Sequence, residues 1–486
     1  MSSSDQAAHA TTAASVPVEI RHTPAWYRAA RFGIFIHWGV YAVPAFNNEW
    51  YPRNMYQLGS AEWQHHRATY GPQHVFGYKD FIPRFHGEHF AAPAWARLFR
   101  RAGARYVVAV AEHHDGFAMY DCATSRWSAA RMGPKRDVIG ELAQAIREAG
   151  LAFGLSYHRA EHWWFFNGGR HFASDVTDPT YADLYGPAAP QDEPPAPWFL
   201  ADWQARVREL IERYRPQLLY FDSGAAHPAF APYVRYSAAF YYQRAREWGI
   251  EVVINSKEGA LPSGWAIPDV ERGGFAMIQP HLWQADTTIA HGSWCYVANQ
   301  SYKSADTLIH RLIDTVSKNG CLLLNVGPQP DGRISAAETA VLEAMGDWLA
   351  VHGEAIYDTR PWHTFSEGPT PGSNGAFSEH QQPAFCGADL RFTTRGDTLY
   401  LLCLGEPERE LRVTALGRRQ VGPIHHLALL GSDEPIVWHQ EAQWLRIRRP
   451  SALPSRHACA FRIEGIINQG SPRSCHGLAD SYPNSA

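Results

Sequence analysis

Cysteine is scarce in this sequence. Seven residues in 486 (Cys122, Cys295, Cys321, Cys386, Cys403, Cys459 and Cys475) form an odd set with no C-x-x-C pair. That argues against a disulfide-built scaffold and makes reduced thiols the expectation. Long apolar runs are missing too: none approaches the ~20 residues that span a bilayer, so no membrane partner is expected. The first fifteen residues have neither a basic start nor an apolar core, so no secretory leader is read in the chain as written. The expected location is cytoplasmic, or periplasmic or secreted if the start is mis-called. Excess charge of one sign is also absent. A net charge of -4 with 19% charged residues leaves no electrostatic footprint for nucleic acid. Neither H-E-x-x-H nor H-x-H spacing occurs, so no metal and no organic cofactor is expected.

What the chain does contain is a row of apolar runs that end in polar residues. They are Phe32-Gly-Ile-Phe-Ile-His37-Trp-Gly39, Ala111-Glu-His113-His114-Asp-Gly-Phe117, Gly154-Leu-Ser-Tyr157-His158-Arg159 and Leu218-Leu-Tyr-Phe-Asp222-Ser-Gly224. In a (β/α)8 barrel the strand ends surround one site. The patterning predicts strands over 32–38, 106–111, 151–157, 217–221, 251–255 and 321–326. It predicts helices over 95–102, 138–148, 203–214, 233–248, 305–319 and 336–351. This alternation predicts a parallel (β/α)8 TIM-like barrel over residues 19–362. Short alternating runs from 389 to 463 predict a C-terminal antiparallel β-sandwich over 363–466. Residues 1–18 and 467–486 read as disordered tails. The proline-rich stretch 185–197 reads as neither helix nor strand.

Asp222 is the sharpest candidate for chemistry, a carboxylate placed just after a buried strand. The ordinary alternative is a loop or helix-capping aspartate. Retaining glycosidases need a second carboxyl group ~5 Å away. Glu49, Glu161, Glu271 and Asp286 are available, and Glu271, in Asp269-Val-Glu-Arg-Gly-Gly274, lies well downstream of Asp222. His113, His114 and His158 allow a metal reading, but adjacent histidines on a strand point to opposite faces. Hydrogen bonding to sugar hydroxyls is the better use of these imidazoles. Of the 18 tryptophans, most belong in the core and some suit a saccharide cleft.

Several longer segments resemble the α-L-fucosidases of glycoside hydrolase family 29. They are Arg31-Phe-Gly-Ile-Phe-Ile-His-Trp-Gly-Val-Tyr-Ala-Val-Pro44, Glu49-Trp-Tyr51, Ala102-Gly-Ala-Arg-Tyr106, His113-His-Asp-Gly-Phe117, Gly133-Pro-Lys-Arg-Asp-Val138, Tyr220-Phe-Asp222, Ser293-Trp-Cys-Tyr296 and Lys318-Asn-Gly-Cys-Leu-Leu-Leu-Asn-Val-Gly-Pro328. The resemblance implies an exo-acting, retaining enzyme that removes terminal α-L-fucose from oligosaccharides or glycoconjugates. It puts Asp222 on the nucleophile position. His37, Glu49, Trp50, His113 and His114 fall on sugar-binding positions, with Tyr157, His158, Arg272 and Trp283 near others. Many members carry a Trp-Glu pair whose glutamate is the acid/base. The comparable pair here is Trp283-Gln284, and glutamine cannot donate a proton. Glu271 is then the first choice for acid/base and Glu161 the second. Tyr220 stands where many members have tryptophan. The alternatives are a catalytically weak or inactive fucose-binding protein, a glycosidase for another α-linked sugar, and a metal-dependent hydrolase. A homo-oligomer is compatible with the sequence.

Overall fold

The structure, a computed structural model, describes residues 23–257 and 259–465. The tails expected at 1–18 and 467–486 lie outside the described residues. Eight parallel strands close on themselves in chain order: β1 (Phe32–Ile36), β2 (Tyr106–Glu112), β3 (Ala152–Tyr157), β4 (Leu218–Phe221), β5 (Val253–Ser256), β6 (Ile267–Glu271), β7 (Trp283–Thr288) and β8 (Gly320–Val326).

Each strand alternates its side chains between two apolar environments. Ile34, Val107, Leu155, Leu219, Ile254 and Leu324 belong to the large core shared with the helices. Phe35, Val108, Leu218, Tyr220, Val253 and Leu323 form a separate cluster inside the barrel. Glycine at 33 lets Tyr106 lie across the barrel interior, because a Cβ there would sit 2.4 Å from the tyrosine ring. The Tyr106 and Tyr27 hydroxyls both donate to Gln284 Oε1, at 3.1 and 2.9 Å. The two tyrosine hydroxyls and this amide oxygen thus satisfy one another.

Two barrel strands escape the sequence patterning. β6 reads Ile-Pro-Asp-Val-Glu and β7 reads Trp-Gln-Ala-Asp-Thr-Thr. Apart from Ile267 their inward positions are polar, so the apolar signature is lost. β6 pairs with β5 at only two positions, Asn255↔Ile267 and Ser256↔Pro268. The proline-rich stretch is corrected at both ends. Tyr185 closes a short helix (Ala182–Tyr185), and Pro197 opens a long one (Pro197–Tyr214). Proline lacks an N–H, and the first turn of a helix has no use for one.

The C-terminal part forms two antiparallel sheets. One orders β13-β16-β11-β10-β9 and the other β12-β15-β14, with β9 (Arg360–Glu367), β10 (Leu390–Arg395), β11 (Thr398–Cys403), β12 (Glu410–Val413), β13 (His426–Leu429), β14 (Trp438–Gln440), β15 (Leu445–Arg448) and β16 (Cys459–Glu464). Phe392, Leu401, Leu445, Ile447 and Phe461 fill the space between them. β9 straddles the junction expected at 362, and neither β9 nor β14 is visible in the patterning. No helix of the described residues is long and apolar enough to cross a membrane.

A buried charge cluster joins the sandwich to the barrel. Asp314, on the helix Ala305–Ser317, accepts from Arg391 Nε of β10 at 2.7 Å and from Lys318 Nζ at 2.7 Å. All three side chains are at least 95% buried. Removing the shared anion strands two cations away from water. Asp314→Ala is expected to cost about 3–5 kcal/mol, read as a lower urea midpoint at unchanged slope. A loss below about 1 kcal/mol would show that the cluster does not hold the two parts together.

Candidate active site

At or just past the C-terminal end of six strands the inward row presents polar side chains. His37, His158, Asp222, Lys257, Glu271 and Asn325 sit two residues beyond the inward Phe35, Ser156, Tyr220, Asn255, Asp269 and Leu323. The period-two pleat therefore delivers them to one mouth. Asp222, directly after β4, is 6% exposed. Its Oδ2 lies 2.8 Å from His158 Nδ1 and 3.7 Å from His114 Nε2, and its Oδ1 lies 3.0 Å from Lys257 Nζ.

Lys257 is the organising group. Its ammonium also lies 2.6 Å from Glu271 Oε2 and 3.4 Å from Asp286 Oδ2. Asp222 and Glu271 thus share one cation, which holds the two carboxyl groups on either side of one nitrogen, within the range a retaining pair requires. Burial pushes the Asp222 carboxyl up, but His158, Lys257 and His114 overcome it and hold it well below the usual range. Burial pushes Glu271 up as well; Lys257 pulls it back, Asp286 and Asp222 repel its anion, and it ends at about 7. Burial disfavours the Lys257 ammonium, yet the surrounding carboxylates keep it charged. Two carboxyl groups pushed apart, one well below the usual range and the other up to about 7, suit a nucleophile and a proton donor.

The histidines form a wall around this pair. His37 Nδ1 is 2.7 Å from Asn325 Oδ1, His114 Nδ1 is 2.7 Å from the His158 carbonyl, and His158 Nε2 is 2.6 Å from Ser156 Oγ. The His113 and His114 rings lie 4.3 Å apart. Both belong to the wall because they follow the end of β2, where strand alternation no longer separates them. Burial holds His37, His113 and His158 below the usual imidazole value. Neutral rings offer a donor and an acceptor each, which suits hydroxyl groups. Glu49 is buried and accepts from the Trp294 N–H (2.9 Å) and Ser293 Oγ (3.2 Å). Trp50 lies 5.1 Å from His114 and stacks near Trp164, forming a half-buried aromatic side to the mouth. Glu161 Oε2 lies 3.5 Å from His114 Nδ1, over the Asp222-Ser-Gly turn.

Three sequence-stated positions fall elsewhere. Tyr157 is on the outward face of β3, packed on Trp203 with ring centroids 5.7 Å apart. Its neighbour His158 takes the inward place. Trp283 begins β7, at the end of the barrel opposite the mouth, and donates to the Lys318 carbonyl at 3.0 Å. Its partner Gln284 is bound to Tyr27, Tyr106 and Asp269 in the barrel interior. A glutamate there would be out of reach of the mouth, so this glutamine removes no proton donor. Arg272 follows Glu271, but its guanidinium is committed to Glu379 Oε1 (2.7 Å) and the His291 carbonyl (2.6 Å). Lys257 went unnoticed in the sequence; the signal was Asn255 and Lys257 at alternate positions after an apolar run. Two groups of donor atoms, His37/His113/His158 and His114/His158/Asp222, are close enough together to hold a metal ion. A cation on Asp222 would face the Lys257 ammonium on the same carboxylate, and that repulsion favours a neutral polyhydroxylated ligand.

The alpha-L-fucosidase family model matches residues 1–354. The plasma alpha-L-fucosidase of Homo sapiens is 31% identical over 473 residues, covering 93% of this chain and 91% of its own. The tissue alpha-L-fucosidase of Rattus norvegicus is 32% identical over 374 residues, with 72% and 73% covered. The crystal structure of Thermotoga maritima alpha-fucosidase in complex with fucose superposes with a TM-score of 0.74 at 28% identity, covering 91% of this chain and 97% of that one. The same enzyme with a mechanism-based inhibitor gives a TM-score of 0.75 at 27% identity, covering 92% and 97%.

Burial is the first cause of the raised Glu271 titration, and repulsion from Asp286 adds to it. Asp286→Asn removes a repelling charge and leaves Lys257 more fully to Glu271, so the Glu271 titration is expected to move below 7. Carbon-detected NMR of the labelled carboxyl reads this directly. An unmoved or rising titration would separate Asp286 from the site's electrostatics.

Proposed function

Because the chain belongs to the alpha-L-fucosidase family, we propose that it removes terminal α-L-fucosyl residues from oligosaccharides or glycoconjugates with retention, by double displacement between Asp222 and Glu271. The observation that carries this reading is the pair of carboxylates held on one lysine with opposite titration shifts. Ionised Asp222 attacks the anomeric carbon, and protonated Glu271 gives its proton to the departing oxygen. Negative charge leaves Asp222 as the glycosyl ester forms and appears on Glu271 as it donates. Both charges are within reach of Lys257, so the total charge around the ammonium does not change. In the second step Glu271 takes a proton from water, which displaces Asp222.

His37, His113, His114 and Glu49 grip the ring hydroxyls. The Phe35 and Trp294 rings, 4.5 and 5.2 Å from His37, supply an apolar wall for the C6 methyl group. Rejecting one extra hydroxyl on an apolar wall is worth only ~1–3 kcal/mol, so slow turnover of the galactoside is part of the reading.

Hydrolysis of an aryl α-L-fucoside tests the proposal. Wild-type protein is expected to turn over and release α-fucose first, as followed by proton NMR. Asp222→Asn is expected to lose roughly 10⁴-fold or more. First release of β-fucose, or full activity in Asp222→Asn, would remove Asp222 as nucleophile. The pH dependence has a definite sign. Glu271 must be protonated to donate and its carboxyl is raised to about 7, so kcat/KM should fall as pH rises through 7. A profile flat to pH 9 would assign the proton donor elsewhere.

A further inference from the structure

The loop between β9 and β10 leaves the C-terminal sheets and docks on the end of β6. The Phe377 N–H donates to the Glu271 carbonyl at 2.7 Å, and the Glu379 N–H to the Arg272 carbonyl at 2.8 Å. Gly375 and Gly274 exchange two further backbone bonds, at 2.7 and 3.2 Å. Arg311 reaches the Gly273 carbonyl from the helix Ala305–Ser317 and holds Ser373 of the docked loop at 2.8 Å. Arg272 itself sits in the left-handed region at φ 43°, a conformation a non-glycine residue keeps only when its surroundings enforce it.

What enforces it is a carboxylate. The Glu379 side chain is 13% exposed. Its Oε1 accepts from Arg272 Nε at 2.7 Å and Lys303 Nζ at 2.8 Å, and its Oε2 from Thr287 Oγ1 at 2.6 Å. Lys303 Nζ also donates to Thr287 Oγ1 at 2.7 Å. Burial works against the Glu379 anion, yet Lys303, Thr287 and Arg272 hold its carboxyl down at about 2. Thr287 follows Asp286 in β7, so the same carboxylate ties the strand ends that carry both Glu271 and Asp286.

We propose that Glu379, a residue of the C-terminal part, is a positioning residue for the proton donor: through Arg272, Thr287 and the docked backbone it fixes Glu271 against Lys257 at the mouth of the barrel. This rests on Glu271 being the acid/base. Glu379 touches no substrate; it acts through its neighbours. Its removal should therefore impair proton donation and spare attack by Asp222.

The test compares kcat/KM on two substrates, because this parameter reports the first chemical step. Methyl α-L-fucoside has a leaving group that needs a proton, and α-L-fucosyl fluoride has one that does not. Glu379→Gln keeps the shape and removes the charge. It is expected to lose about 10- to 100-fold on the methyl fucoside, the penalty of a misplaced catalytic group, and to stay within about 2-fold on the fluoride. Glu379→Asp should fall between Glu379→Gln and wild type. Glu271→Gln is the reference and should show the same asymmetry more strongly. If Glu271→Gln keeps wild-type turnover of the methyl fucoside, the acid/base assignment fails and the positioning role falls with it. If Glu271→Gln is asymmetric but Glu379→Gln is not, the positioning role alone is overturned. Equal losses on both substrates, with a lowered Tm, would reduce Glu379 to a structural contact and overturn it too.

Discussion

One buried ammonium governs the mouth of this barrel. Lys257 is 7% exposed and has Asp222, Glu271 and Asp286 within 3.4 Å of its nitrogen. Three carboxylates that close together, without a cation, would not all ionise in a region poor in water. With the cation present, protonation is divided unequally. Asp222 stays ionised, aided by His158, while Glu271 is left near neutrality. The unequal titration of the two carboxyl groups follows from burial, from this shared lysine and from His158 on the Asp222 side alone.

The fold supplies those distances by simple means. β4, β5, β6 and β7 are consecutive neighbours in the closed sheet, so residues that leave their inward rows lie side by side. The inner rows below are filled by Phe35, Val108, Leu218, Tyr220, Val253 and Leu323, and this packing keeps the polar layer from sinking into the barrel. Close packing at that level also makes the mouth rigid, since few rotamers are open to side chains with filled space beneath them. The sandwich contributes from outside. Its Arg391 is anchored on Asp314, and its loop at 373–379 braces the end of β6. One face of the sandwich also packs into the barrel core through Tyr400, Leu402, Leu404, Ala458 and Ala460, while its other face fills the space between its own two sheets.

Adjacent residues of this chain differ sharply in where their side chains go. His158 and Tyr157 are neighbours in sequence, yet one borders Asp222 and the other packs on Trp203. A one-residue difference on a strand is a change of face, and the apolar run 151–157 has no mark of where the faces lie. His113 and His114 show the converse: both reach the site because the strand has ended. β6 and β7 were invisible because their inward side chains are the polar ones the site requires. Polar residues on the inward face are what erased the apolar signature of these strands.

From the sequence by itself came the alternation of strands and helices, the closed parallel barrel, the sheet-rich C-terminus and the row of His37, His113, His114, His158 and Asp222 at strand ends. These are local properties, written in spacing and in turn residues. Which carboxylate faces Asp222, that Lys257 joins them, that Gln284 is a barrel-interior residue and that Glu379 reaches across from another part of the chain were decided only by tertiary structure. Those facts belong to a site that joins residues up to 288 positions apart at a single mouth, as His37 and Asn325 are. Strand register and the reach of each side chain set such contacts, and no local pattern encodes either.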